Sequence, residues 1–235
     1  MKYVQAKIGD YKSHDDFGLV LMKISITDPE AKTHIVEVPG RRVALDMTEY
    51  LYGRITYKPR ILTLTFDHFH RGFEPWHTLC SRLLTAWHGR RLKITLDTDP
   101  YFYWIGRVSV TSEKESPLYA SVVVTAEVEP YKYGTENFLT RWRWDSLSFS
   151  NGVIREYGLM QIPDSKKLTI IGSPEPVTPR VKASQAMTVT VGGKSWQLSS
   201  EQWKELTGLK LGREPTEFIF SETGIVSVDF KEESL

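Results

Sequence analysis

Between Glu74 and Gly89 the apolar residues Trp76, Leu79, Cys80, Leu83, Leu84 and Trp87 fall at i, i+3, i+4, i+7, i+8 and i+11. That spacing lays one stripe along an α-helix, and no strand produces it. Pro75 suits a first helical turn, where its missing N–H would have no intrahelical acceptor. Gly89 follows the last periodic residue as a left-handed C-terminal cap, and Arg90 and Arg91 place positive charge beside the negative helix end. The pattern predicts a helix over about residues 74–88, with two tryptophans on its buried face.

Nearly everything else in the first half alternates with period two. Val20, Met22, Ile24 and Ile26 predict a strand over Phe17–Ile26, closed by Asp28-Pro29. Thr33–Val38 forms a second, ahead of the turn signal Pro39-Gly40. Within Arg60–Phe69, Leu62, Leu64 and Phe66 share one face, and Ile61, Thr63 and Thr65 the other. Leu92–Leu96 and Tyr101–Val110 follow, the latter with Gly106 as a candidate β-bulge. Leu118–Val128 alternates as a half-buried antiparallel strand does. Residues 1–16 show no such period and read as a loose or partner-docked terminus.

Glu129-Pro130 to Glu136 interrupts the pattern with Pro and Gly, placing a domain boundary between 1–133 and 134–235. Beyond it, Arg141–Ser150 reads as a strand running into the hairpin signal Asn151-Gly152. Lys167–Ile171 is a short strand, and Met187–Val191 and Ser195–Leu198 flank Gly192-Gly193 as a second hairpin. Ser199 with Gln202 three residues on has the form of a capping box, predicting a short helix over Ser199–Leu206. Thr216–Phe220 and Ile225–Phe230 are expected to pair around Glu222-Thr223-Gly224. Short strands at this spacing predict a β-sandwich.

Composition changes this picture little. Of 235 residues, 40% are hydrophobic and 25% charged, as in an ordinary globular protein, and the net charge is +1. That balance gives no reason to expect sequence-specific nucleic-acid binding or an anionic membrane. The start, MKYVQAKIGDYK, has no apolar signal-peptide segment, and no apolar run is long enough to span a bilayer. The single cysteine, Cys80, cannot form an intrachain disulfide and lies on the helix's apolar stripe. It reads as a small buried hydrophobe in a protein made in a reducing compartment.

Three constellations could carry chemistry. His68 and His70 share one face of a strand, with His77 and His88 near in sequence, but a metal site needs a third ligand and a supporting shell. Asp97, Asp99 and Glu74 could be paired carboxylates, yet Asp97…Asp99-Pro100 has the chemistry of a turn. Trp142, Trp144, Trp196 and Trp203 could stack a sugar, although tryptophans more commonly fill sandwich cores and interfaces. With no nucleophile or phosphate-loop motif present, no catalytic, cofactor-binding or metal-binding residue is assigned.

The Val38-Pro39-Gly40 turn, then Leu45-Asp46, then Tyr57…Arg60 opens an apolar strand. The helix ending in His88-Gly89, the strand Leu92–Leu96, and Asp97…Asp99-Pro100-Tyr101-Phe102-Tyr103-Trp104-Ile105-Gly106-Arg107 follow in order. That succession resembles the distal tail protein (Dit) family of siphophages. It covers about the first 130 residues and, loosely, the rest. Arg42-Val43 stands where the family usually has an Asx-Gly-like pair. The resemblance implies a mainly β protein with one principal helix. Its N-terminal β-sandwich or barrel-like domain would form a hexameric ring, and its C-terminal β-sandwich would be galectin-like.

The function implied is that of a structural hub at the virion tail tip, made in the host cytoplasm and not an enzyme. It would join the tail tube to tail-tip proteins and dock receptor-binding components, with DNA passing through the ring unread. The alternative is a carbohydrate-binding module in which the C-terminal sandwich recognises a glycan.

Overall fold

The computed structural model of the chain describes residues 3–53, 55–69, 76–114, 119–135 and 156–235. The chain divides into two compact units, Met1–Lys132 and Tyr133–Leu235. The first begins with β1 (Ala6–Ile8), β2 (Tyr11–Lys12), α1 (Ser13–Phe17) and β3 (Leu19–Ile26). An excursion carrying β4 (Ile35–Val36), β5 (Leu45–Asp46) and α2 (Thr48–Tyr52) follows. The unit continues with β6 (Arg60–Phe69), α3 (Trp76–Trp87), β7 (Arg91–Leu96), β8 (Asp99–Lys114) and β9 (Tyr119–Val128), and β10 (Lys132–Gly134) crosses the boundary.

The main sheet runs β2-β1-β7-β8-β9-β6-β3. Its register gathers the apolar half of each alternating strand onto one face. Leu62, Leu64 and Phe66 of β6 lie opposite Ala126, Val124 and Val122 of β9, and Ala126 and Val124 in turn face Val108 and Val110 of β8. All are buried. In β3 the alternation breaks at Met22, where the register with β6 slips between Leu21 and Lys23. The bulge moves the core-facing set from odd to even positions: Leu21 lies opposite Phe66, whereas Ile24 and Ile26 lie opposite Leu64 and Leu62. Met22 is left 59% exposed, so the single face expected for Val20–Ile26 does not exist.

Helix α3 covers the apolar sheet face, as its period predicts. Leu79, Leu83, Ala86 and Trp87 are the buried residues, while Leu84 is 43% exposed and Cys80 half-buried. The stripe is thus narrower than the sequence suggests and centred one step away from Leu84. Gly89 takes φ +74° past the helix end, its N–H donates to Val108 O at 2.8 Å, and Arg90 Nη1 donates to Ala86 O at 3.1 Å. Of the two arginines Arg90 therefore caps the helix; Arg91 pairs instead with Glu129.

Two further expectations change. The N-terminus is not loose: β1 pairs with both β2 and β7, and Ala6 and Ile8 are fully buried. Three alternating residues are too short a run to stand out from a polar segment. Gly106 is not a bulge either, since Leu92↔Gly106 and Gly106↔Val128 pair in register. A Cβ there would lie 2.4 Å from Glu127 O and 2.7 Å from Val128 Cγ1. Glycine is needed for close approach of two backbones, and Gly106→Ala is expected to cost about 1–3 kcal/mol in urea melts as overpacking against atoms that cannot turn aside.

Among the described residues, the second unit is a sandwich of two four-stranded antiparallel sheets around one core. One sheet orders β11 (Met160–Ile162), β18 (Gly224–Asp229), β13 (Arg180–Ala183) and β16 (Trp203–Glu205). The other orders β12 (Lys167–Ile170), β17 (Thr216–Phe220), β14 (Met187–Val191) and β15 (Lys194–Leu198), and β19 (Glu233–Ser234) pairs with β10. Gly192 and Gly193, at φ +56° and +81°, make the expected hairpin turn. β17 and β18 do not pair. They belong to different sheets, with Phe218 and Phe220 on one inner face and Val226 and Val228 on the other.

The helix expected over Ser199–Leu206 is also absent. Glu201 adopts φ +59°, and Trp203–Glu205 pairs with β13 while Leu206 enters the core. Three residues with a sheet partner and a buried neighbour outweigh a local capping signal. Arg141–Ser150 and Asn151-Gly152 lie outside the described residues.

Candidate assembly surface

Between β3 and β6 the chain leaves the sheet as an arm whose root is closely tied. Thr27 N–H donates to Ile61 O at 3.1 Å, and Ile61 N–H to Thr27 Oγ1 at 2.9 Å. Arg60 Nε donates to Thr27 O at 2.7 Å. Ala31 bridges Tyr57, with Lys32 N–H donating to Thr56 O and Lys58 N–H to Glu30 O. Beyond the root the arm is a two-residue ladder, Ile35↔Asp46 and Val36↔Leu45, turned at Pro39-Gly40. Asp46 Oδ1 accepts the Thr48 N–H at 2.9 Å, starting α2, and the Thr48 hydroxyl together with this N–H holds the exposed Asp46 carboxyl below its ordinary pKa.

The arm has backbone order but no core. Ile35 is 61% exposed, Val43 77% and Tyr50 81%; Val36, Val38, Leu45 and Ile55 are exposed as well. Among the described residues, no arm side chain belongs to either buried hydrophobic cluster. An isolated two-stranded hairpin is marginal in water, and contiguous exposed apolar surface marks an interaction site. The arm therefore has the composition of a segment that is completed by contact.

β3 adds to this surface. It is an edge strand, pairing only with β6 among the described residues, and Met22 and Ile24 are exposed along it. An edge presents unpaired N–H and C=O groups to any arriving chain. The arm itself is poorly legible in sequence, because Thr33–Val38 reads as an ordinary strand and α2 has too few residues to show a period.

The residues singled out for chemistry are dispersed. His68 Nδ1 lies 3.4 Å from Gly18 O, with its ring against Trp76, while His77 is exposed on α3. His88 Nδ1 accepts the Val110 N–H at 3.1 Å, an ordinary structural role. His70 and Glu74 lie outside the described residues. Among the described residues, no three His, Cys, Asp or Glu side chains stand close enough to hold a metal ion. The β7–β8 turn is Asp97-Thr98; Asp99 belongs to β8 and pairs with Lys132 Nζ at 2.8 Å. Cys80 Sγ sits 3.3 Å from Ser112 Oγ.

Trp196 and Trp203 do not form one platform. Trp196, on β15, packs half-buried against the sandwich core, whereas Trp203, on edge strand β16 of the other sheet, is 38% exposed beneath Arg180. Trp142 and Trp144 lie outside the described residues. Among the described residues no helix is long and apolar enough to cross a membrane.

No family model matches the sequence, and no curated relative does. Among solved structures the chain is similar to the Dit protein (gp 19.1) of phage SPP1, whose crystal structure is presented as a paradigm of the hub adsorption apparatus in phages infecting Gram-positive bacteria. The two superpose with a TM-score of 0.68 at 13% identity, over 100% of each chain. The chain has the Dit fold throughout its length.

Proposed function

We propose that this chain is a structural tail hub, with its N-terminal unit forming a hexameric ring at the distal end of a siphophage tail tube. The observation that carries the reading is the coreless apolar arm on a chain of Dit fold. In the ring each arm docks on the next copy, a head-to-tail contact that closes by rotation. A specific contact of this kind buries more than about 1,000 Å² in total. The second unit, read as galectin-like, then presents surfaces for tail-tip and receptor-binding proteins, and DNA passes through the ring without recognition.

Exposed Trp203 supports a second reading, glycan binding by the sandwich. Its indole is held beneath Arg180, which Asp229 fixes in turn, so the ring is fixed in place while 38% exposed. Mixing the chain with its tail tube protein separates the two. Discs capping tube ends in negative stain support the hub. Uncapped tubes, together with glycan-array binding by the full monomeric chain, support the second reading.

A further inference from the structure

Arg60 stands at the root of the arm, first residue of β6, and is only 7% exposed. Its guanidinium carries five N–H donors and keeps its charge. Nε donates to Thr27 O, and the guanidinium lies 5.1 Å from the centre of the Trp104 ring, itself buried. Among the described residues neither Nη group meets an acceptor, and no carboxylate comes within ion-pair distance. Burial pulls the guanidinium pKa down from its ordinary value, and Asp28 offsets this from beyond contact.

A guanidinium on so buried a side chain ordinarily has a carboxylate or several carbonyls around it. Among the described residues, the only fully enclosed side-chain polar atom without a partner is Trp87 Nε1. The Arg60 Nη groups therefore still reach the surface. Ile61, the next residue, is 39% exposed on the opposite face of the strand. The result is a preformed fork, with its stem and one donor fixed, aimed at an acceptor this copy does not supply.

We propose that the Arg60 guanidinium is a socket for a carboxylate of a second copy of this chain, filled when the ring assembles; the inference rests on the ring reading. The planar fork matches a carboxylate in two-point contact. The neighbour's arm carries suitable groups, since Glu37 and Glu49 are exposed and have no partner among the described residues. Continuity with the apolar arm surface places the ion pair inside the contact, where water is excluded as the copies close. Its contribution to the ring is register as well as affinity.

The test is Arg60→Met in the full chain, with Arg60→Lys as a second variant that keeps the charge and loses the fork. Melting of the dilute monomer and the concentration of half-assembly are both measured. Both variants are expected to melt close to wild type as monomers, and to need at least tenfold more protein for half-assembly. Rings forming at unchanged concentration overturn the socket and leave the hub standing. A fall in monomer melting that accounts for the assembly loss in both variants also overturns it, showing Arg60 to be structural. A wild-type chain that never assembles overturns the ring reading, and the socket with it.

Discussion

Trp87→Ala is expected to destabilise the N-terminal unit by about 3–5 kcal/mol, as truncation of a buried large aromatic does. Trp87 is 0% exposed and packs edge-on against Phe17, with ring centres 4.9 Å apart. Phe17 ends α1 and Trp87 ends α3, so this contact helps to tie the short helix to the long one, beside Arg82, which lies over the Phe17 ring and donates to Asp16 O. The cavity left by alanine would be enclosed by helix and sheet, neither able to collapse into it without breaking ladder pairing. Trp87→Phe should cost less, because Trp87 Nε1 has no hydrogen-bond partner to lose. Exposed His77→Ala should stay within about 0.5 kcal/mol of wild type. Leu83→Ala against Leu84→Ala reads the helix rotation directly, with about 2–5 kcal/mol expected for the buried residue and far less for its 43%-exposed neighbour. Equal losses in urea melts would mean that the helix is rotated from its observed setting.

Replacing Ile35, Val43, Leu45 and Tyr50 together by serine is expected to abolish ring formation and leave the monomer's melting nearly unchanged. None of these side chains belongs to either hydrophobic core, so their loss should leave both cores intact. Burying each against a neighbour would contribute roughly 1.5–3 kcal/mol. Every 1.4 kcal/mol is a factor of about ten in the association constant. Losing four such anchors therefore moves assembly beyond any practical concentration. A variant that assembles like wild type would remove the arm from the interface. A variant that melts much earlier would show that the arm packs within its own unit.

What could be read from the sequence divides along physical lines. Long, strongly periodic elements were legible: α3 from its stripe, β6 and β9 from ten-residue alternations that fix their own register. The Gly192-Gly193 hairpin was legible because two positive-φ residues in succession leave few alternatives. Elements held by partners rather than by their own pattern were not. β1 and β16 are three residues long, and each exists because a neighbouring strand pairs with it. The bulge at Met22 leaves no mark in composition, although it decides which half of β3 faces inward. The assembly surface was legible only as a resemblance. Its physical sign, apolar side chains on an arm with no core, needs exposure to be seen, and Val43 in sequence looks like any strand residue. Arg60 was visible only as a basic residue opening a strand; burial without a carboxylate is a property of the fold.

The central claim is that this chain assembles through its arm into a closed ring of fixed size. Light scattering coupled to size exclusion, run on the purified full chain over a wide range of concentration and repeated with the tail tube protein present, tests it most directly. The expected result is a transition from the 27.0 kDa chain to one discrete species of six copies, with no larger open polymers. A chain that remains a monomer at every concentration and with its tail partner added, or that grows without limit into filaments, would contradict it.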